Sequence, residues 1–377
     1  MRTYLVRLNL DIKEKNIRNA LRFRVASLTI KSLSKPSNKI VVLAHRGRPK
    51  KFDKSLSLKP FASLLSKSTS KKVLFISKIA DAKQKIDEAR GGSVFLLENL
   101  RFEKGERENS EKFARVLAEL GDEYINNDFA TSHRSSPSTI GITKFIPSKN
   151  GEIIKNEIKA LEKAAKKPAR PLVLIMGGAK IEDKAGTIKE LLPKTSKVLL
   201  GGGVANTFLA ASGVDVRKSL YEPEMVRSAK ALLKSKKIIY PVDFSVKGNA
   251  ILDIGPETIK RYTGIIKSAR TIIWAGPMGK FEDKEFRRGN DAIGRAVLRN
   301  KKAKIIIGGA DTLSSLPIRI KSQKQGNILF STGGSAMLQF LAGKKMPAIA
   351  AIELGEPRQR REAANKSDKR QATRDKK

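Results

Sequence analysis

Two lysines one helical turn apart, Lys180 and Lys184, follow the pair Gly177-Gly178 at the end of an apolar run in the stretch VLIMGGAKIEDK. The run reads as a strand covered on both faces, and the glycines let the backbone turn without a Cβ clash. A helix is expected from about Ala179. Its free N–H groups and positive dipole end would then seat an anion, with both lysines on one face. Alone the motif is weak, and a tight turn with two solvated lysines reads equally well. A second chemistry lies nearer the start, where Arg48, Arg101 and Arg134, with His45, sit in or just beyond strand-like runs. Guanidinium forks grip carboxylate and phosphate bidentately, so such a cluster suits a small, multiply anionic ligand.

The elements that would hold these residues alternate throughout as short apolar runs and helical patterns, the signature of parallel α/β architecture. In the first half the strand candidates are TYLVRLNL, KIVVLAHRGRP, KKVLFIS, SVFLLENLRF and EYINNDFATSHR. The second half offers PLVLIMGGAK, KVLLGGGVAN, KKIIYPVDF, TIIWAGPMGKFE, KIIIGGADTL and ILFSTGGSAM, most of them ending in glycine turns. Ligands of open parallel sheets bind at the carboxyl ends of the strands, so arginines end one set and phosphate-type glycine turns the other. Between them Ile154, Ile158, Leu161 and Ala165 recur at helical spacing until KKPARP stops the helix. The expected fold class is therefore α/β, with two Rossmann-like three-layer domains of parallel sheets joined by a bridging helix and hinge. The expected divisions are residues 1–150, 151–170 (helix and linker), 171–345, a returning segment 346–357, and a disordered basic tail 358–377.

With 377 residues, 40% hydrophobic, the chain has material for two cores. It contains no cysteine and only His45 and His133, which excludes disulfides, thiolate chemistry and most histidine metal sites. No signal-peptide core or bilayer-length apolar run is present, and a cytoplasmic, non-membrane protein is expected. The net charge of +40 invites nucleic acid, but the tail from Arg358 holds only nine basic against three acidic residues. The remaining excess is spread over ordinary amphipathic helices, so nucleic acid is not expected as the main partner.

The ordered stretches HRGRPK, LLENLRF, DFATSHR, GGAKIEDK, GGGVANTFL, PVD, DIGPET, IIWAGPMGKFE, GGADT and STGG resemble the phosphoglycerate kinase family from about Tyr4 to Ile352. The resemblance implies a monomeric, hinge-bending enzyme that moves a phosphoryl group between 1,3-bisphosphoglycerate and ADP, giving 3-phosphoglycerate and MgATP. It assigns glycerate binding to Asn9, Asp11, Arg22, His45, Arg48, Arg101 and Arg134. It assigns the nucleotide to Gly177, Gly178, Lys180, Lys184, Gly202, Gly203, Pro277, Glu282, Gly308, Gly309, Asp311 and Thr312. Arg22 and Lys180 would be the catalytic cations and Asp311 the Mg²⁺ ligand, a hard oxygen of the kind this ion takes. The alternative reading is a catalytically weakened relative that binds RNA or acidic partners through its basic surface.

Several positions depart from the family pattern. Asn9 and Asp11 exchange the usual Asp-x-Asn, NNDFA replaces NDAFG, and Ser136, Ala275, Lys280 and Ser335 stand where a histidine, an asparagine, an apolar residue and a glycine are usual. Residues two apart on a strand share a face, so the Asn9/Asp11 exchange is expected to be tolerated sterically. Restoring Asp-x-Asn is expected to tighten glycerate binding.

Overall fold

The structure, a computed structural model, describes residues 1–12, 17–316 and 326–355. The tail 358–377 lies outside them. The chain forms two compact units: Met1–Asn156 together with the described residues from Lys345 onward, and Glu157–Lys344. The division falls inside the helix Glu152–Lys166.

The first unit carries six strands, β1 (Arg2–Arg7), β2 (Asn38–Leu43), β3 (Val73–Ile76), β4 (Val94–Leu97), β5 (Glu123–Asn126) and β6 (Ser148–Asn150). They pair in parallel in the order β3-β4-β2-β1-β5-β6. Alternate side chains feed two cores, as the two-residue period of a strand requires. Val6, Ile40, Val42, Val94 and Leu96 meet Phe23, Ile30, Phe61 and Leu65 on one face. Leu5, Val41, Leu43, Phe95 and Leu97 meet Ile86, Leu117, Ile142 and Ile352 on the other. Ile352, fully buried, comes from the end of the described chain, where 347–355 are helical and the Ala348 amide donates to the Ser132 carbonyl (3.1 Å). The edge strand β6 was not anticipated, because Ser-Lys-Asn has no apolar pattern; it is held by backbone pairing to β5.

In the second unit β7 (Leu172–Met176), β8 (Lys197–Leu200), β9 (Ile238–Ile239), β12 (Thr271–Ala275), β13 (Lys304–Gly308) and β14 (Ile328–Ser331) form a parallel sheet in the order β14-β13-β12-β7-β8-β9. Counted from β7, the strand order is that of the dinucleotide-binding doubly wound fold, with its reversal between β7 and β12. β7 and β12 are wholly buried, as strands with both faces covered must be. A separate antiparallel hairpin, β10 (Phe244–Lys247) and β11 (Ala250–Ile254), is an addition to the expected strands. Its turn is Gly248-Asn249, both at positive φ, a hairpin signal that the sequence does contain.

Candidate active site

The chain leaves β1 toward one side of the first sheet and reaches β5 on the other, so the crevice of that sheet opens where β1 and β5 end. Arg7 closes β1 and is 2% exposed. Its guanidinium donates to Nδ1 of His45 (2.7 Å) and to the Leu8 and Leu43 carbonyls, and lies 3.4 Å from the Asp128 carboxylate. Beyond β2, the loop of His45 to Arg48 is tied down at Gly47. The Gly47 amide donates to Asp11 (2.9 Å), and the Gly47 carbonyl accepts from Arg101. Asn99 holds the same loop by accepting from the Arg46 amide and donating to the Arg46 and Leu56 carbonyls. The half-buried Arg22, in the helix Leu21–Leu33, donates to the Asp11 carbonyl.

Arg7, Arg48, Arg101 and Arg134 line one cavity of about 360 Å³. Burial, with the charges of Arg7, Arg101, Arg22 and Arg134, pushes His45 well below its ordinary pKa, so its ring is neutral at physiological pH. Burial and the nearby Arg7 and Arg134 push Arg101 down to about 10. Arg134 is lowered by burial and by Arg48. Arginines that depress one another have too few counterions, and an entering anion relieves that repulsion.

In the second unit the glycine turns are laced to one another. The Gly177 amide donates to the Ala275 carbonyl, Gly178 to Pro277 (2.7 Å), Gly202 to Met278 (2.7 Å), and Val204 to Gly178. A Cβ on Gly276, at φ +93°, would lie 2.0 Å from the Gly177 carbonyl oxygen, and one on Gly203 would lie 2.3 Å from that of Ala179. These glycines are therefore required by crossing backbones, and not only by a ligand's approach. Gly308 is crowded by Met337, and Gly309 takes φ +100° before the short helix Ala310–Ser315. That helix exposes Asp311 and buries Thr312, whose hydroxyl accepts from the Gly276 amide (2.7 Å) and donates to the Gly308 carbonyl (2.8 Å). Pro277 is buried, whereas Glu282 and Lys280 are exposed in the segment after β12. Ala275 ends β12 inside the core and Ser335 is exposed. The hairpin strands β10 and β11 supply Phe244 and Ile251 beside Gly202 and Met278. A larger groove of about 680 Å³ opens between the helices Pro256–Ser268 and Arg288–Arg299, at the opposite ends of the strands, away from the glycine turns.

The stretch around Lys180 differs from its expected form. The helix runs from Glu182 to Leu191, three residues later than expected, and its first amides are already taken. Ile181 and Glu182 both donate to the carboxylate of Glu222, which is 7% exposed and comes from forty residues further on. The anion at this helix start is thus the protein's own. Lys180 is exposed, and the half-buried Lys184 donates to the Lys180 carbonyl (2.7 Å), bracing the turn. Replacing Glu222 with alanine leaves two amides without their charged acceptor. An expected loss of about 1.5–3 kcal/mol in unfolding free energy, measured by denaturant titration, checks this.

Arg7, Asn99, Asp128 and Glu222 escaped the sequence reading. Arg7 had a signal, being a cation inside an apolar strand, where charges are rare unless paired. The other three act through partners tens of residues away and leave no local periodicity. Among the described residues no helix is long and apolar enough to cross a membrane, and no group of three or more His, Asp or Glu residues is placed to hold a metal.

Two parallel sheets wound on both faces, one switch point ringed by arginines and the other by interlocked glycines, define a two-unit α/β protein of the doubly wound class. The family profile of phosphoglycerate kinase matches residues 2–344, and the chain belongs to that family of kinases. It is 36% identical to a phosphoglycerate kinase of Dictyoglomus turgidum, over 93% of this chain and 95% of the relative. It is 38% identical to one of Lactobacillus johnsonii, over 92% and 95%. The solved phosphoglycerate kinase of Pyrococcus horikoshii superposes with a TM-score of 0.84 at 30% identity, covering 94% of this chain and 97% of that one. That of Coxiella burnetii gives 0.75 at 34%, covering 94% and 96%.

Proposed function

We propose that the chain is a phosphoglycerate kinase, catalysing reversible phosphoryl transfer between 1,3-bisphosphoglycerate and ADP to give 3-phosphoglycerate and ATP. Beyond family membership, the observation that supports this reading most is the cluster of Arg7, Arg48, Arg101 and Arg134 around one cavity with a neutral His45 beside it. Such a cavity suits a ligand with both a phosphate and a carboxyl group, and the acceptor is accordingly a carboxylate oxygen. Arg48, Arg101 and Arg134 neutralise it, Asn9 and Asp11 face its hydroxyl and carboxyl region, and Arg22 is directed to the group being transferred.

On the second unit, the turns at Gly177–Gly178, Gly202–Gly203 and Gly308–Gly309 flank the nucleotide, with Pro277 alongside and Glu282 accepting from ribose hydroxyls. Lys184 faces the nucleotide phosphates and Lys180 the migrating group. Transfer of this kind needs positioning and charge stabilisation and no protein nucleophile. Asp311 is an exposed carboxylate at the end of β13, a donor suited to Mg²⁺, which is commonly held by one or two carboxylates plus substrate phosphates. When bound, the ion would neutralise phosphate charge. Thr312, with its hydroxyl engaged at both ends, shapes the glycine turns instead of donating to phosphate.

A coupled assay with 3-phosphoglycerate, ATP and Mg²⁺ tests the reading: acyl phosphate formation is expected, and no turnover with this acid would overturn it. We propose a cytoplasmic monomer acting on these small molecules, and nothing observed favours the RNA-binding alternative. Deleting residues 358–377, which hold none of the site residues, is expected to leave kcat within about twofold and to reduce retention on nucleic acid at low salt.

A further inference from the structure

Asn9 and Asp128 stand 119 residues apart in sequence and meet in the buried layer behind Arg7 and Thr131, two residues that line the arginine cavity. The Asn9 amide nitrogen donates to Asp128 Oδ1 at 2.9 Å, and the Asp11 backbone amide donates to Asn9 Oδ1 at 3.1 Å. That orientation is forced, because an ionised carboxylate only accepts and a backbone N–H only donates. Asp128 is fully engaged. Oδ1 also accepts from the Thr131 amide (3.2 Å), Oδ2 accepts from the Thr131 hydroxyl (2.7 Å), and Arg7 lies 3.4 Å from Oδ2. Arg7 in turn offers an N–H to Nδ1 of His45 at 2.7 Å. A guanidinium has no acceptor, so Nδ1 must carry the lone pair and the proton must sit on Nε2. Arg7, Asn9, His45 and Asp128 are each at most 7% exposed, so water cannot substitute for any of these partners.

We propose that Asn9 and Asp128 act as one unit, in which Asp128 is a positioning residue. It supplies the negative charge that faces Arg7, fixes that guanidinium, and through it presents His45 to the glycerate ligand as a neutral Nε2–H donor. The reference to the ligand rests on the function proposed above. The exchange at residues 9 and 11 is then not free. An aspartate at 9 would bring a second carboxylate against Asp128 at hydrogen-bond distance in a buried site, where two such groups cannot both ionise. Restoring Asp-x-Asn at residues 9 and 11 is therefore expected to weaken glycerate binding and not to tighten it, because the compensating charge sits at residue 128.

Three variants and one spectrum test this. Asn9→Asp is expected to raise the KM for 3-phosphoglycerate by about tenfold or more at pH 8, with kcat changed less, and the penalty should shrink at lower pH as the carboxylate pair shares a proton. Asp128→Asn is expected to raise it similarly, by releasing Arg7. The double variant Asn9→Asp, Asp128→Asn moves the charge back and is expected to return KM to within about threefold of the natural chain. Multiplicative penalties in the double variant, or an unchanged KM in Asn9→Asp, would overturn the proposal. Independently of activity, ¹⁵N correlation spectra of the two histidines, assigned through His133→Gln, should show His45 as the Nε2–H tautomer at neutral pH and mixed tautomers in Asp128→Asn. A His45 protonated on Nδ1 in the natural chain overturns the proposal even if the enzyme proves to act on another acid.

Discussion

Lys180→Ala is expected to lower kcat by about 10²- to 10³-fold with saturating substrates, the usual effect of removing one cation or donor aimed at developing transition-state charge. A phosphoryl group in flight spreads charge over its equatorial oxygens, and a fixed ammonium stabilises that state more than either ground state. The Lys180 side chain is exposed, and the structural work at this turn is done by its backbone carbonyl, which accepts from Lys184. Truncation should therefore leave folding stability nearly unchanged, so lost activity would report on chemistry. Lys184→Ala should show the other balance, a larger rise in the KM for ATP than fall in kcat, because its ammonium is assigned to phosphates present in both ground states. Steady-state kinetics with nucleotide titration of both variants decides the matter: near-normal kcat in Lys180→Ala would reduce this residue to a solvated lysine at a turn.

Gly276→Ala is expected to destabilise the second unit by about 3 kcal/mol or more. Its new methyl group would sit 2.0 Å from the Gly177 carbonyl oxygen and 2.8 Å from the Gly178 nitrogen, at a φ of +93° that alanine rarely adopts. Backbone crowding of this kind cannot be relieved by a rotamer change, and overpacking alone costs about 1–3 kcal/mol before the conformational strain is added. Because Gly178 must shift, ATP affinity should fall as well. Gly186→Ala and Gly264→Ala supply the contrast. Both lie within helices, with nothing within 4 Å of the added carbon, so each should stabilise by roughly 0.5–1 kcal/mol. Denaturant unfolding of the three variants measures the difference, and a Gly276→Ala protein within 0.5 kcal/mol of the natural chain would mean that the crossing turns are looser than described.

Much of the fold was legible because parallel strands buried on both faces write themselves as short, continuous apolar runs. Every strand candidate of both halves overlaps an observed strand, though β1 and β2 begin one residue earlier than their candidates and KKIIYPVDF shortens to Ile238–Ile239. What stayed hidden has a common physical cause. β6 is held by its neighbour's backbone, a contribution that carries no side-chain signature. The helix after Gly178 starts late because Glu222 decides where its first amides find an acceptor, and that partner is invisible to any window around Lys180. In the first unit the arginines at strand ends were readable as a group. The buried pairings of Arg7 with His45 and of Asn9 with Asp128 were not, since each joins strand ends that only the sheet order brings together.

Ile352 ties the history of the first unit to the far end of the chain. The face that it covers, with Leu5, Val41, Leu43 and Leu97, is otherwise made entirely from the first 146 residues. A ribosome adding about 5–20 residues per second needs roughly 10–40 s to travel from Asn156 to Ile352. Throughout that interval the first unit has its sheet but lacks the side chain that seals it. The part of the protein synthesised first is thus completed last. The gap left in that apolar layer is a place where a chaperone, or an unwanted neighbour, has time to act during synthesis.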